Sequence, residues 1–228
     1  MRLQEILNPH YNFYDPANLD VIEATCAYDL AFENADLDFL AQAEQDVLKG
    51  QNGYAIGVNV SSPWGQNIVL EAQIGEFDAN SDVVKKDITV KSGFMLSLQR
   101  HRGRKERWEV IEGTLTVISD GAIYTVKTGE SINLSKGNVH CMINRDDKPV
   151  RVIETQSGIC READNVRLID FNNRPTIPLS NQNEALSAIL YAQIHQEIKN
   201  KFGCETTASA MLLDPKYAQT IARLNSAA

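Results

Sequence analysis

Between Tyr54 and Asp170 the chain is cut into short runs rich in β-branched and aromatic residues, separated by Gly, Asn and Asp: Ala55–Val60, Ile68–Ile74, Val83–Val90, Met95–His101, Trp108–Ile111, Thr114–Ser119, Ile123–Lys127, Ser131–Leu134, Val139–Asn144, Val150–Thr155 and Val166–Ile169. Strand-length segments repeated this closely predict a sandwich or barrel rather than a parallel α/β sheet. Asp120-Gly121 is a suitable two-residue hairpin turn between Thr114–Ser119 and Ile123–Lys127. The flanks read differently. Residues 1–53 carry helix-spaced apolar positions at Leu37, Leu40, Ala41, Val47 and Leu48, with Gly50 as a stop, and Leu19 to Phe32 is also expected to be helical. After Pro178, Ser180 or Asn181 is placed to cap a helix that carries Leu186, Ile189, Leu190, Ile194, Ile198 and Phe202 and ends at Gly203. Asp214-Pro215 opens another short helix. The division is therefore a helical extension at 1–53, a β domain at 54–176 and a helical extension at 177–228. These helices are expected to cover an outer face of the β domain or to form a dimer contact, because their apolar stripes are too small to fold alone.

Within the β domain lies a split set of polar residues, Gln99-x-His101-x4-Glu106 and His140-x3-Asn144. Gln99 and His101 are two apart, so on a strand they share a face. Glu106 follows a short basic loop, and His140 comes from a distant strand. A Gln oxygen, two imidazoles and a carboxylate form a mixed N/O set suited to a divalent metal, Zn, Mn, Fe, Co or Ni. A buried polar cluster without metal is the alternative. The chain has only four histidines. His10, among Tyr11, Phe13 and Tyr14, and His195, beside the apolar stripe of its helix, read as structural or exposed.

The formal net charge of -8 over 228 residues argues against a nucleic-acid binder or an anionic-membrane binder. Arg100, Arg102, Arg104, Lys105 and Arg107 form a local basic patch. No apolar run is long enough to span a membrane, and the first residues lack a signal-peptide apolar region. Cys26, Cys141, Cys160 and Cys204 form no Cys-x-x-Cys pair, and reduced thiols in the cytoplasm are the simplest reading.

At these residues the sequence resembles the cupin superfamily, and within it the isomerase part of type II mannose-6-phosphate isomerases. Gly129, Gly137, His140 and Asn144 match the second cupin motif, with Ser135 where proline is usual. Leu96, Ser97, Leu98, Gln99, His101, Arg104, Glu106, Trp108, Val110 and Gly113 match the first. Pro63-Trp64-Gly65, Lys86, the Glu154/Gln156/Ser157-Gly158 run, Val166-Arg167, Asp170 and Arg174 are also similar to family positions. Gly103 and Arg107 stand where the family has histidines, and Asn172 and Asn173 stand where it has Tyr and Gly. The resemblance covers roughly 63–174. It implies a mainly β cupin, a jelly-roll barrel, and a metal-dependent isomerase that interconverts an aldose and a ketose phosphate. The implied metal ligands are Gln99, His101, Glu106 and His140, with Zn as the leading ion. Lys86, Arg104 and Arg174 are implied to hold the sugar phosphate; Arg174, Lys86 and Glu106 are the catalytic candidates, and no residue stands out as the base. A homodimer is the expected assembly. The rival expectation is a non-catalytic cupin that binds a sugar or another small ligand.

Overall fold

A computed structural model describes residues 54–74, 82–161, 164–170 and 175–203, together with the backbone of 21–24. Twelve strands and one helix are described. They are β1 Val21–Ala24, β2 Asn59–Ser62, β3 Gly65–Gln73, β4 Asp82–Val90, β5 Leu98–His101, β6 Arg104–Glu112, β7 Thr114–Ser119, β8 Ala122–Lys127, β9 Ser131–Leu134, β10 His140–Ile143, β11 Val150–Gly158, β12 Asn165–Ile169 and α1 Gln182–Phe202. They form a seven-stranded sheet in the order β1-β9-β6-β11-β4-β3-β2 and a five-stranded sheet in the order β12-β5-β10-β7-β8. Except for β1 on β9, every strand pair is antiparallel. The mainly β expectation therefore holds, and most strands sit within a few residues of their expected places.

Three differences have physical causes. The strand expected at Trp108–Ile111 begins at Arg104, because pairing with β11 extends the ladder back through Glu106 and Lys105. Met95 makes only an isolated bridge to Ile143, and β5 proper starts at Leu98. Val21–Ala24, inside the stretch expected to be helical, is a strand that adds in parallel to the edge strand β9. A β-branched pair offered an open sheet edge gains ladder hydrogen bonds, and tertiary pairing overrides a weak helical pattern. The other expected N-terminal helix, around Leu37–Leu48, the short helix opening at Asp214-Pro215, His10, Cys26 and Cys204 lie outside the described residues.

Two turns depend on their residues. Asp120 and Gly121 both have positive φ, 46° and 75°, as a type I′ hairpin turn between β7 and β8 requires. Gly65 opens β3 at φ 152°, where a Cβ would lie 1.9 Å from the Thr89 carbonyl oxygen, so only glycine lets β3 and β4 approach there.

Alternation divides the side chains into two cores. Between the sheets, Trp108, Val110, Leu115, Val117, Ile132, Met142 and Val152 form the barrel interior. Outside the five-stranded sheet, Leu98, Ile118, Cys141 and Ile143 pack under Leu190, Tyr191, Ile194 and Ile198 of α1. Thus α1 covers an outer face of the barrel, as expected. Its N-cap is Asn181, whose side chain accepts from the Glu184 N–H, and its C-cap is Gly203 in the left-handed region. Arg100 ties the helix to β5 through Glu184, at 3.2 Å. At the hairpin, the Ser187 hydroxyl accepts from the Gly121 N–H and the Asn183 amide donates to Asp120. His195 is buried within α1, in keeping with its structural reading. Cys141 and Cys160 are free, buried thiols. Among the described residues, no helix is long and apolar enough to cross a membrane.

Candidate metal centre

Strand geometry brings His101, Glu106 and His140 together. His101 ends β5, Glu106 lies on the inward-facing alternation of β6 with Arg104 and Trp108, and His140 opens β10 opposite Gln99. One ligand atom from each lies within 4.8 Å of the others, and all three side chains are buried. His140 Nδ1 lies 2.9 Å from the Asn138 carbonyl, which accepts its proton. That contact fixes the tautomer and leaves a lone pair on Nε2. His140 Nε2 has no hydrogen-bond partner and faces Glu106 Oε2 at 3.7 Å. A buried, unpartnered imidazole nitrogen aimed at a carboxylate fits a divalent ion, and these three residues could hold one.

The carboxylate is heavily contacted. Glu106 Oε1 accepts from Arg104 Nε at 2.9 Å and Gln156 Nε2 at 3.3 Å, and lies 3.1 Å from His101 Nε2. Its Oε2 accepts from the Trp108 indole at 3.0 Å. Burial pushes the Glu106 pKa up, but His101 when protonated and Arg104 outweigh it and hold it well below the ordinary 4.5. Burial first, then the Arg104 guanidinium, drives the His101 pKa down to about 3. Burial also lowers the His140 pKa. At pH 7 both imidazoles are therefore neutral, the state a metal ligand needs, and Arg104 is the cation that keeps Glu106 ionised.

The remaining candidates are placed differently. Gln99 lines the neighbouring cavity, and its side-chain oxygen accepts from Ser97 and Asn165, each at 2.8 Å. Arg104 lines the cavity but is buried, with donors committed to Glu106, the Arg161 carbonyl and His101 Nε2. Lys86 lines the same cavity from β4, in the sheet that also carries Arg104 and Glu106, 4.0 Å from Glu154 and over the Tyr54 ring. Arg174 lies outside the described residues. Asn144, the last member of the second half-motif, organises a loop: its amide donates to the Val90 and Lys148 carbonyls, and its oxygen accepts from the Asp146 N–H.

The cavity beside Glu106 holds about 100 Å³ and is lined by Trp64, Asn67, Lys86, Glu154, Asn165 and Arg167, among others. That is room for the reacting end of a small polar ligand rather than a drug-sized molecule. Glu154 and Arg167 were not singled out from sequence as site residues. Their signal was present: each lies on a strand face that the alternation turns towards the cavity, but only the pairing of β11 with β4 and β6, and of β12 with β5, shows which face that is. Glu154 is paired in register with Lys86 on one side and Trp108 on the other. Burial, then the charge of Glu106, raises its pKa to about 7, and Lys86 and Arg104 only partly offset this. Gln156 donates to both Glu154, at 2.7 Å, and Glu106. A larger hollow of about 380 Å³ between α1 and the β7–β8 sheet is lined by Arg145, Glu197, Lys201 and three threonines. Its cations are paired with Glu197 and Asp147, and it contains none of the three metal-capable residues.

Two facing antiparallel sheets with inward His, Glu and His side chains at their centre define a cupin barrel. Residues 49–170, more than half of the chain, match the family described as Mannose-6-phosphate isomerase C-terminal, and the chain belongs to that family. It is 34% identical over 149 residues to a mannose-1-phosphate guanylyltransferase of Escherichia coli (strain K12), covering 65% of this chain and 30% of that protein. It is 32% identical over 157 residues to mannose-1-phosphate guanylyltransferase ManC of Salmonella typhimurium, covering 69% of this chain and 31% of that protein. The match thus spans about a third of the length of these relatives. In shape the chain is similar in part to KdgF from Halomonas sp., with a TM-score of 0.41, 13% identity and coverage of 48% of this chain and 96% of that one.

Proposed function

We propose that this protein is a metal-dependent sugar-phosphate isomerase that interconverts mannose 6-phosphate and its ketose. One observation carries the reading: Glu154 and Glu106 line one cavity and are joined through Gln156, and Glu106 is at the same time the carboxylate of the cluster with His101 and His140. Family membership supports a sugar phosphate as the substrate class.

The residues divide the work. His101, Glu106 and His140 would hold the ion, with Zn the leading choice and Mn, Fe, Co and Ni as alternatives; bound there, it supplies a Lewis acid for the sugar's C1–C2 oxygens. Glu154 is the base. Its carboxylate takes the C2 proton of the open-chain aldose, and the C–H pair becomes the C1–C2 double bond as the C1 carbonyl pair moves onto O1; the O2 hydroxyl proton passes to O1, and Glu154 returns its proton to C1 as the C2 carbonyl forms, giving the ketose. A pKa near 7 suits a group that must both take and give a proton at neutral pH. Lys86 and Arg167 offer positive charge to the anionic substrate from opposite sheets. Arg174 is proposed to join them at the phosphate.

The test is a coupled assay of mannose 6-phosphate conversion by protein loaded in turn with Zn, Mn and Co, run beside His140→Ala and Glu154→Gln. Wild-type turnover is expected, with metal content lost in the first variant. The second should keep metal and lose turnover by about a hundredfold or more, the scale of a positioned acid–base group. Absence of both turnover and deuterium uptake from D2O at C2 or C1 with every metal would overturn the reading. The committed state of Arg104 favours one rival, a barrel that binds a sugar phosphate without turning it over; it gives binding in calorimetry and no isotope uptake.

A further inference from the structure

We infer that Arg104 is a built-in cation that competes with the divalent ion for its ligand atoms, and that Asp164 receives the guanidinium when the ion binds. The inference rests on the metal-holding role of His101, Glu106 and His140 proposed above.

Arg104 makes two contacts that a metal would also need. Its Nε donates to Glu106 Oε1 at 2.9 Å, and its Nη2 lies 3.2 Å from His101 Nε2. A lone pair on that nitrogen accepts from Arg104 or binds a metal, and it cannot do both. The charges conflict as well. Glu106 is the one acid among the three ligand residues, and a guanidinium already neutralises it. A divalent ion added a few ångströms away would set like charges against each other where water does not screen them.

The second observation shows where the guanidinium would go. Asp164 Oδ1 accepts from the backbone N–H groups of Arg102 and Gly103, at 2.6 and 3.0 Å, which locks the carboxylate in place. Its other oxygen, Oδ2, is buried without a hydrogen-bond partner. That oxygen lies 3.5 Å from Arg104 Nη1, within ion-pair range but beyond a good hydrogen bond. Nη1 itself donates to the Arg161 carbonyl at 3.0 Å. A small swing about that anchor would withdraw Nε and Nη2 from the metal ligands and close the Asp164 gap. An unfilled acceptor fixed by two backbone donors, on the far side of the guanidinium from Glu106, is the arrangement a two-position arginine needs.

The experiment titrates Co2+ into metal-stripped, full-length protein, followed by calorimetry and by the visible absorption of the bound ion. Arg104→Leu removes the competitor and should bind Co2+ more tightly than wild type by about tenfold or more, the equivalent of losing one charge-assisted contact. Asp164→Asn keeps the Oδ1 acceptor for Arg102 and Gly103 but turns an amide N–H towards Arg104, so the guanidinium stays on Glu106. This variant should bind Co2+ several-fold more weakly than wild type. The opposite signs keep the inference testable if the leucine variant fails to fold. Equal affinity in wild type and Arg104→Leu, or unchanged or tighter binding in Asp164→Asn, would overturn the competition and leave the metal site standing. Failure of all three proteins to bind Co2+ at millimolar concentration would overturn the metal site itself.

Discussion

Asn144 gives the sharpest test of how the turn after His140 is held. It is fully buried, and its side chain makes three hydrogen bonds to backbone groups: donations to the Val90 carbonyl at 2.9 Å and the Lys148 carbonyl at 2.8 Å, and acceptance from the Asp146 N–H at 3.0 Å. Asn144→Ala removes all three and strands two carbonyls. At a net 0.5–1.5 kcal/mol per bond the loss is roughly 2–4 kcal/mol, a large share of a typical domain's stability. Asn144→Asp is nearly isosteric, yet it should cost more. It keeps the acceptor for Asp146 but places a carboxylate against two carbonyl oxygens that need donors. Protonation relieves this, because a neutral carboxyl can donate to one carbonyl. The folded pKa of the introduced Asp is therefore raised above its unfolded value, and the variant gains stability as pH falls through the folded pKa. Urea unfolding of the three proteins at pH 5 and pH 8 checks both statements. At pH 8 the order should be wild type, then Ala, then Asp, with the Asp deficit shrinking at pH 5. An Asp variant as stable as wild type at pH 8 would refute the assignment of the two carbonyls as the partners that matter.

Two further outcomes follow from the same geometry. Glu154 has its pKa raised from 4.5 to about 7 by burial and by Glu106, so the folded state holds a proton that the unfolded chain releases between those values; its contribution to stability falls as pH rises through this window, and urea midpoints should show Glu154→Gln flattening that slope. Ile194 is buried where α1 meets the five-stranded sheet, so Ile194→Ala should cost about 2–5 kcal/mol in urea unfolding, and a cost under about 1 kcal/mol would mean the helix is not clamped to the barrel.

Much of this protein was legible in the chain itself. β-rich runs closed off by turn residues, such as Thr114–Ser119 and Ser131–Leu134, gave strands with those bounds, since β-branched stiffness and turn chemistry act over a few positions. Asp120-Gly121 and the caps Asn181 and Gly203 were equally local, because each is set by the φ its own residue tolerates or by a side chain bonding a few positions away. The spacing of His101, Glu106 and His140 was enough to bring the three together as candidates. What alternation cannot say is which face of a strand turns inward, or what stands opposite. Only the register of β11 between β4 and β6 set Glu154 between Lys86 and Trp108 and brought Gln156 to Glu106. Only the packed interior left Arg104, read from sequence as a substrate cation, with its donors spent on Glu106, His101 and the Arg161 carbonyl. Val21–Ala24 became a strand because β9 offered an edge more than a hundred residues away. Sequence determined the elements and their caps through interactions a few residues long; the partners of each buried charge were decided by pairings across the barrel, where desolvation makes every such charge find its counter-charge.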